Sequence, residues 1–133
     1  MEFLKIGIEF LFVTLIILIP IILTAKGNSS LRVIMISYPL IFLFVILGAY
    51  WPHFYADVRL ELMGFDFEGM NDAERMRNVK LDLRAEASKL YSSNMGIGWP
   101  LRAMLRMIFI APYPIVVCIF AGIIRYIRRK YDI

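Results

Sequence analysis

The chain has 133 residues, 60% of them hydrophobic, a formal net charge of +4, one histidine and one cysteine. Soluble domains of this size run near about 45 to 50% apolar, so the excess needs more than the chain's own core to cover it. A lone cysteine excludes an internal disulfide, and a lone histidine without Cys, Asp or Glu at ligand spacing gives no metal-site signature. The basic balance falls at the ends of apolar runs and needs no nucleic acid to explain it.

The first charge-free run, residues 10–23 (FLFVTLIILIPIIL), lies within a predicted helix over about residues 6–25. Roughly 20 apolar residues cross a hydrocarbon core of about 30 Å. Two further charge-free runs, 33–56 and 107–124, contribute predicted helices over 33–52 and 101–124. These runs are apolar all round, whereas a soluble three-helix bundle needs a polar stripe on each helix. The expected fold class is therefore an all-α integral membrane protein, a single membrane domain with three transmembrane helices. The leader MEFLKIGIE places Lys5 between Glu2 and Glu9 where a signal peptide shows a basic start, so the first segment reads as a retained helix.

The first connection, Ala25 to Arg32 (AKGNSSLR), is short, polar and made of turn formers, which predicts a tight antiparallel hairpin. The second connection, 53–99, carries eight acidic and six basic residues and is expected to hold a helical element outside the bilayer. Asn71 and Glu74 have capping-box-like spacing. Ala73, Met76, Val79, Leu83, Ala87 and Leu90 then recur every three or four residues, with Leu81 and Ala85 off that face, and predict one helix from Asp72 to Leu90. Gly96 is the expected left-handed stop. Helices that lie on anionic lipid carry a basic polar face, whereas this one mixes four acids with five bases. It therefore reads as a surface that docks on protein, with Met76, Val79, Leu83 and Leu90 as partner-binding candidates. The plainer reading is that the helix covers its own loop, including GFDFEG at Gly64–Gly69.

Two motifs of the form Gly-x-x-Trp-Pro bracket that connection, GAYWP at Gly48–Pro52 and GIGWP at Gly96–Pro100. Tryptophan suits the membrane–water interface because its ring is apolar while its indole N–H wants a polar partner. Trp51 is read as closing the second helix, with Pro52 as its stop. Trp99 opens the third helix, with Pro100 in the first turn, where a missing N–H costs nothing. Both mark one interface. Arg102 and Arg106, four apart at the entrance to the third helix, join the two tryptophans as anchors, aimed at lipid phosphate, at Glu9 or at a partner's carboxylates. Glu9 itself reads as a snorkelling interfacial residue.

Each predicted span contains proline: Pro20, Pro39, and the pair Pro112 and Pro114. An interior helical proline costs about 3 kcal/mol in water, and membrane helices tolerate it when neighbours satisfy the freed groups. The pair releases the carbonyls of Ile108 and Ile110 and is read as a static kink in preference to a coordination site. Three crossings place the short connection and the carboxyl tail, residues 125–133, on one side. Arg125, Arg128, Arg129, Lys130, Lys26 and Arg32 make that the cytoplasmic side, with the long loop outside a cell (inner) membrane. Lys5, Arg59, Arg102 and Arg106 oppose this assignment. The acceptor-like Asn28-Ser29-Ser30 is read as chance, and His53 and Cys118 as packing or surface residues.

No phosphate-binding loop, dinucleotide fingerprint, zinc-protease motif or nucleophile elbow occurs. The expected function is that of a non-catalytic small polytopic membrane protein acting on a partner protein. Two roles fit, an accessory subunit of a larger membrane complex and an immunity-type inhibitor of a membrane-active toxin. Membrane lipids are expected neighbours, self-association stays open, and no cofactor or nucleic acid is called for. The alternatives are a homo-oligomeric holin-like pore and a lipid-modifying enzyme limited to Glu9, His53 and Asp57.

Overall fold

A computed structural model describes residues 2–131. The described elements are α1 (Glu2–Ala25), α2 (Ser30–Leu62), α3 (Asp72–Arg75), a 3-10 turn (Leu81–Leu83), α4 (Arg84–Asn94), α5 (Trp99–Ile110) and α6 (Tyr113–Tyr131). Residues 132–133 of the basic tail lie outside the described residues.

Three segments are long and apolar enough to cross a membrane: Phe3–Ala25, Ser30–Leu62 and Trp99–Tyr131, the last made of α5 and α6. Only 11% of the most apolar window of the first and third is buried inside the protein, against 33% for the second. Phe10, Ile108, Phe109 and Phe120 are among the many large side chains left exposed. This outward apolar surface is what the composition required. An interior this small cannot contain it.

The central helix is α2, which packs on α1, α4, α5 and α6. Its buried residues Val33, Ser37, Ile41, Val45, Gly48, Ala49, Tyr55, Ala56 and Leu60 recur every three or four positions up to Ala49 and resume at Tyr55, six positions on, so one face is covered on both sides of the Trp51–Pro52 stretch. Ile41, Val45 and Ala49 meet Ile16 of α1 and Ala103 of α5, with Phe44, Met107 and Ile110 packed around them. The turn from α1 to α2 is as tight as expected. Gly27 takes φ +77°, a conformation L side chains rarely adopt, and Ser29 caps α2 through Oγ to the Arg32 N–H.

Pro52 does not stop the second helix. With 33 residues α2 is about 50 Å long, and it continues roughly 16 Å past Trp51. The reason lies elsewhere in the chain. Pro52 cannot donate to the Gly48 carbonyl, and Arg106 Nη1 does so instead at 3.0 Å.

The third span is broken where the proline pair stands. Tyr38 Oη donates to the Ala111 carbonyl at 2.6 Å, Tyr113 Oη donates to the Ile17 carbonyl at 2.8 Å, and Pro114 is fully buried. The break is thus packed and hydrogen-bonded against α1 and α2. It engages Ala111, not the carbonyls of Ile108 and Ile110 counted from the sequence.

The single predicted helix over 72–90 is also two pieces. Asn71 does cap α3, its Oδ1 accepting from the Glu74 N–H at 2.9 Å, while Glu74 Oε2 accepts from the Met70 N–H at 2.9 Å. After one turn other partners take the ladder carbonyls. The Arg75 carbonyl accepts from the Asp66 N–H at 3.0 Å, and the Val79 carbonyl accepts from Arg84 Nε at 3.1 Å. Val79 and Leu83 fall back on three-residue bonds to Met76 and Lys80. Gly96 is not in the left-handed region: α4 ends at Asn94 on a right-handed Met95.

Candidate functional site

The two Gly-x-x-Trp-Pro motifs meet. Tyr50 and Trp99 stack edge-on with ring centroids 5.4 Å apart, and Tyr50 also lies beside His53 and Phe54, with Trp51 against Phe54. Arg106, about two turns past Trp99 in α5, reaches back to Gly48 of the other motif. Lys5 Nζ sits 5.9 Å from the centre of the Tyr55 ring. The result is an aromatic and basic band at one end of the three spans, as an interfacial belt requires. Two anchors behave differently from expectation. The Trp51 indole N–H is buried with no hydrogen-bond partner among the described residues, so it is a packing group. Arg106 holds a backbone carbonyl, and no ion pair joins it to Glu9. Arg102 is half-buried at the same level without a side-chain partner among the described residues.

Beyond that band the overshooting end of α2 carries a small folded unit. Leu60, Phe65, Val79 and Ala87 form its core, and Met63, Met76, Leu83, Leu90 and Tyr91 pack against them. The stripe of Met76, Val79, Leu83 and Leu90 therefore faces inward onto α2 and the Gly64–Gly69 loop. Val79 is 3% exposed. This corrects the expectation of an open docking face. A helical period shows which face is apolar and not what covers it.

Polar straps hold the unit in place. Arg59 of α2 pairs with Glu86 of α4. Asn94 Nδ2 donates to Asp57 Oδ1 at 2.7 Å, and His53 Nε2 lies 3.4 Å from Asp57 Oδ2. Arg75 Nε donates to the Gly69 carbonyl at 2.9 Å while its guanidinium lies over Tyr91. Gly64, at φ +85°, admits no side chain: a Cβ would stand 2.8 Å from the Asn78 carbonyl oxygen.

The His53–Asp57 pair was missed at the level of sequence because Pro52 was read as a stop. Once the helix runs through, residues four apart share a face. Among the described residues no three of His, Cys, Asp and Glu come together as a metal would need.

The exposed apolar residues of the unit are the ones off the stripe. Met70 is 91% exposed and Leu81 81%, with Leu62 and Phe67 also exposed. A groove of about 660 Å³ lies between α3 and α4, lined by residues that include Asp72, Met76, Arg84, Tyr91 and Met95.

Fold and site together define a class, an all-helical chain with three segments long and apolar enough to span a membrane, bearing a folded unit on the extended second helix. Comparison with protein-family models, curated proteins and solved structures found no match.

Proposed function

We propose that this is a non-catalytic integral membrane protein that works by binding another protein through the unit on α2. It acts either as an accessory subunit of a larger membrane complex or as an immunity-type inhibitor of a membrane-active toxin. The carboxyl tail and the short connection lie in the cytoplasm, and the unit lies outside the cell membrane. The observation that supports the binding role most is the exposure of Met70 and Leu81. Both belong to the unit built on the roughly 16 Å of α2 that continues past Trp51, so in this reading they face water. Large apolar side chains exposed on a water-facing unit that already has its own core mark an interaction surface.

One observation favours the lipid-modifying enzyme as a second reading. Asp57 orients His53 at the belt, half of what general-base catalysis needs.

The test is purification in mild detergent. A foreign protein should accompany the chain at fixed stoichiometry, and Met70→Glu or Leu81→Glu should weaken that association at least tenfold. Covering one large apolar side chain is worth about 1.5–3 kcal/mol, and tenfold needs about 1.4 kcal/mol. Full association of both variants, with the unit still folded, would contradict the assignment of the binding surface. A monomer that turns over lipid, and stops doing so on His53→Ala, would favour the enzyme.

A further inference from the structure

At the end of the spans opposite the belt, a groove of about 740 Å³ separates α1 from α6. Its α6 wall is one continuous helical face, Tyr113, Val116, Val117, Phe120, Ala121 and Ile124, followed on the same face by Arg125 and Arg128. The wall from Tyr113 to Arg128 is roughly 22 Å long at the helical rise. Arg125 is fixed at the mouth by Nη2, which donates to the Thr24 carbonyl at 3.1 Å and the Asn28 carbonyl at 3.5 Å. Among the described residues Arg128 makes no hydrogen bond or ion pair. The groove between α2 and α5 at the other end supplies a contrast: its lining, from Phe42 and Val45 to Met107 and Ile108, contains no charged residue.

We infer that the groove between α1 and α6 is a binding site for one anionic phospholipid, with an acyl chain along the Val116–Ile124 wall and the phosphate held by Arg128 and the free N–H groups of Arg125. The inference rests on the membrane reading above. The commitment to an anionic lipid follows from charge and position. The groove is lined by apolar side chains from Tyr113 to Ile124 and by two guanidiniums in the last turns of that face, and basic pockets between helices collect anionic headgroups. Guanidinium also matches phosphate with paired donors. Arg129 and Lys130 carry like charge one and two residues further on but do not line the groove, so they separate a site from a merely basic tail.

The experiment reconstitutes the full chain with vesicles of phosphatidylglycerol and phosphatidylcholine and measures by native mass spectrometry the lipid retained after gentle extraction. The wild-type chain should keep one phosphatidylglycerol in preference to phosphatidylcholine. Arg128→Gln should cut that preference about fivefold, the effect of one arginine near an anionic surface, and Arg129→Gln with Lys130→Gln should leave it within twofold. Because Arg125 also ties α1 to α6, the second probe is Ala121→Phe, which fills the channel without changing charge and should abolish retention. Equal losses for Arg128→Gln and the Arg129/Lys130 variant, or retention unchanged in Ala121→Phe, would overturn the site. A chain that does not insert into these vesicles would refute the membrane reading itself, and the lipid site with it.

Discussion

Leu60→Ala probes the link between the extended second helix and the unit it carries. Leu60 is 0% exposed and sits at the centre of the core formed with Phe65, Val79 and Ala87. Truncating a buried leucine to alanine costs about 2–5 kcal/mol, the lower values where the site can collapse. Because the unit is small and partly lined by flexible methionines, the expected cost is about 2–3 kcal/mol, a rise of roughly 30- to 150-fold in the population of its open form. Alanine is a strong helix former, so α2 itself should persist. Hydrogen exchange in detergent reads this directly. The amides of Phe65, Asp66 and Val79, bonded to the carbonyls of Leu60, Arg75 and Met76, should lose protection together. Those of Ile41 and Val45, in the packed spans, should not. Unchanged protection in the unit would refute the assignment of Leu60 as its keystone. Loss of protection in both regions at once would show that unit and spans unfold as one.

Two further substitutions test close contacts. Arg106→Gln removes the donor to Gly48 and should lower thermal stability in detergent by about 1–3 kcal/mol; adding Pro52→Ala, which restores a local N–H donor, should recover part of that loss, and simple additivity of the two changes would contradict the exchange of partners. Gly64→Ala brings a methyl against the Asn78 carbonyl and should make the unit sensitive to limited proteolysis, whereas Gly7→Ala, with nothing within 4 Å, should leave the protein as stable or more so; equal proteolysis of the two variants would be inconsistent with the fold of the 64–69 loop.

The three long apolar helices are legible in the sequence because the signal is local and redundant: charge-free runs of the right length, a turn-forming connection, and two tryptophan motifs that touch in the fold. It went astray where the deciding partner lies far away in the chain. Pro52 carries a local cost that any helix rule counts, but Arg106, which offsets it, lies 58 positions away from the carbonyl it satisfies. The same holds for the break after Arg75, whose carbonyl is taken by Asp66 from the preceding loop. Local propensity favoured one helix there, and tertiary hydrogen bonds produced two. The sequence locates the apolar stripe but leaves its occupant open between a partner and the loop, because Val79 and Leu83 look alike in either case; they pack on Leu60 and Phe65. His53 and Asp57 were legible in principle, four residues apart on a helix, had the helix been carried through Pro52.

The membrane reading and its sidedness meet their most direct test in cysteine labelling of intact cells. Ser92 in α4 and Ser29 at the α1–α2 turn are both exposed on the protein, so only a membrane can make them differ. Cysteine at Ser92 should react with an impermeant thiol reagent and cysteine at Ser29 should not, while Cys118, 8% exposed, stays silent. Labelling of Ser29→Cys alone would reverse the orientation. Equal labelling of both would contradict the claim that three helices carry this chain across a membrane.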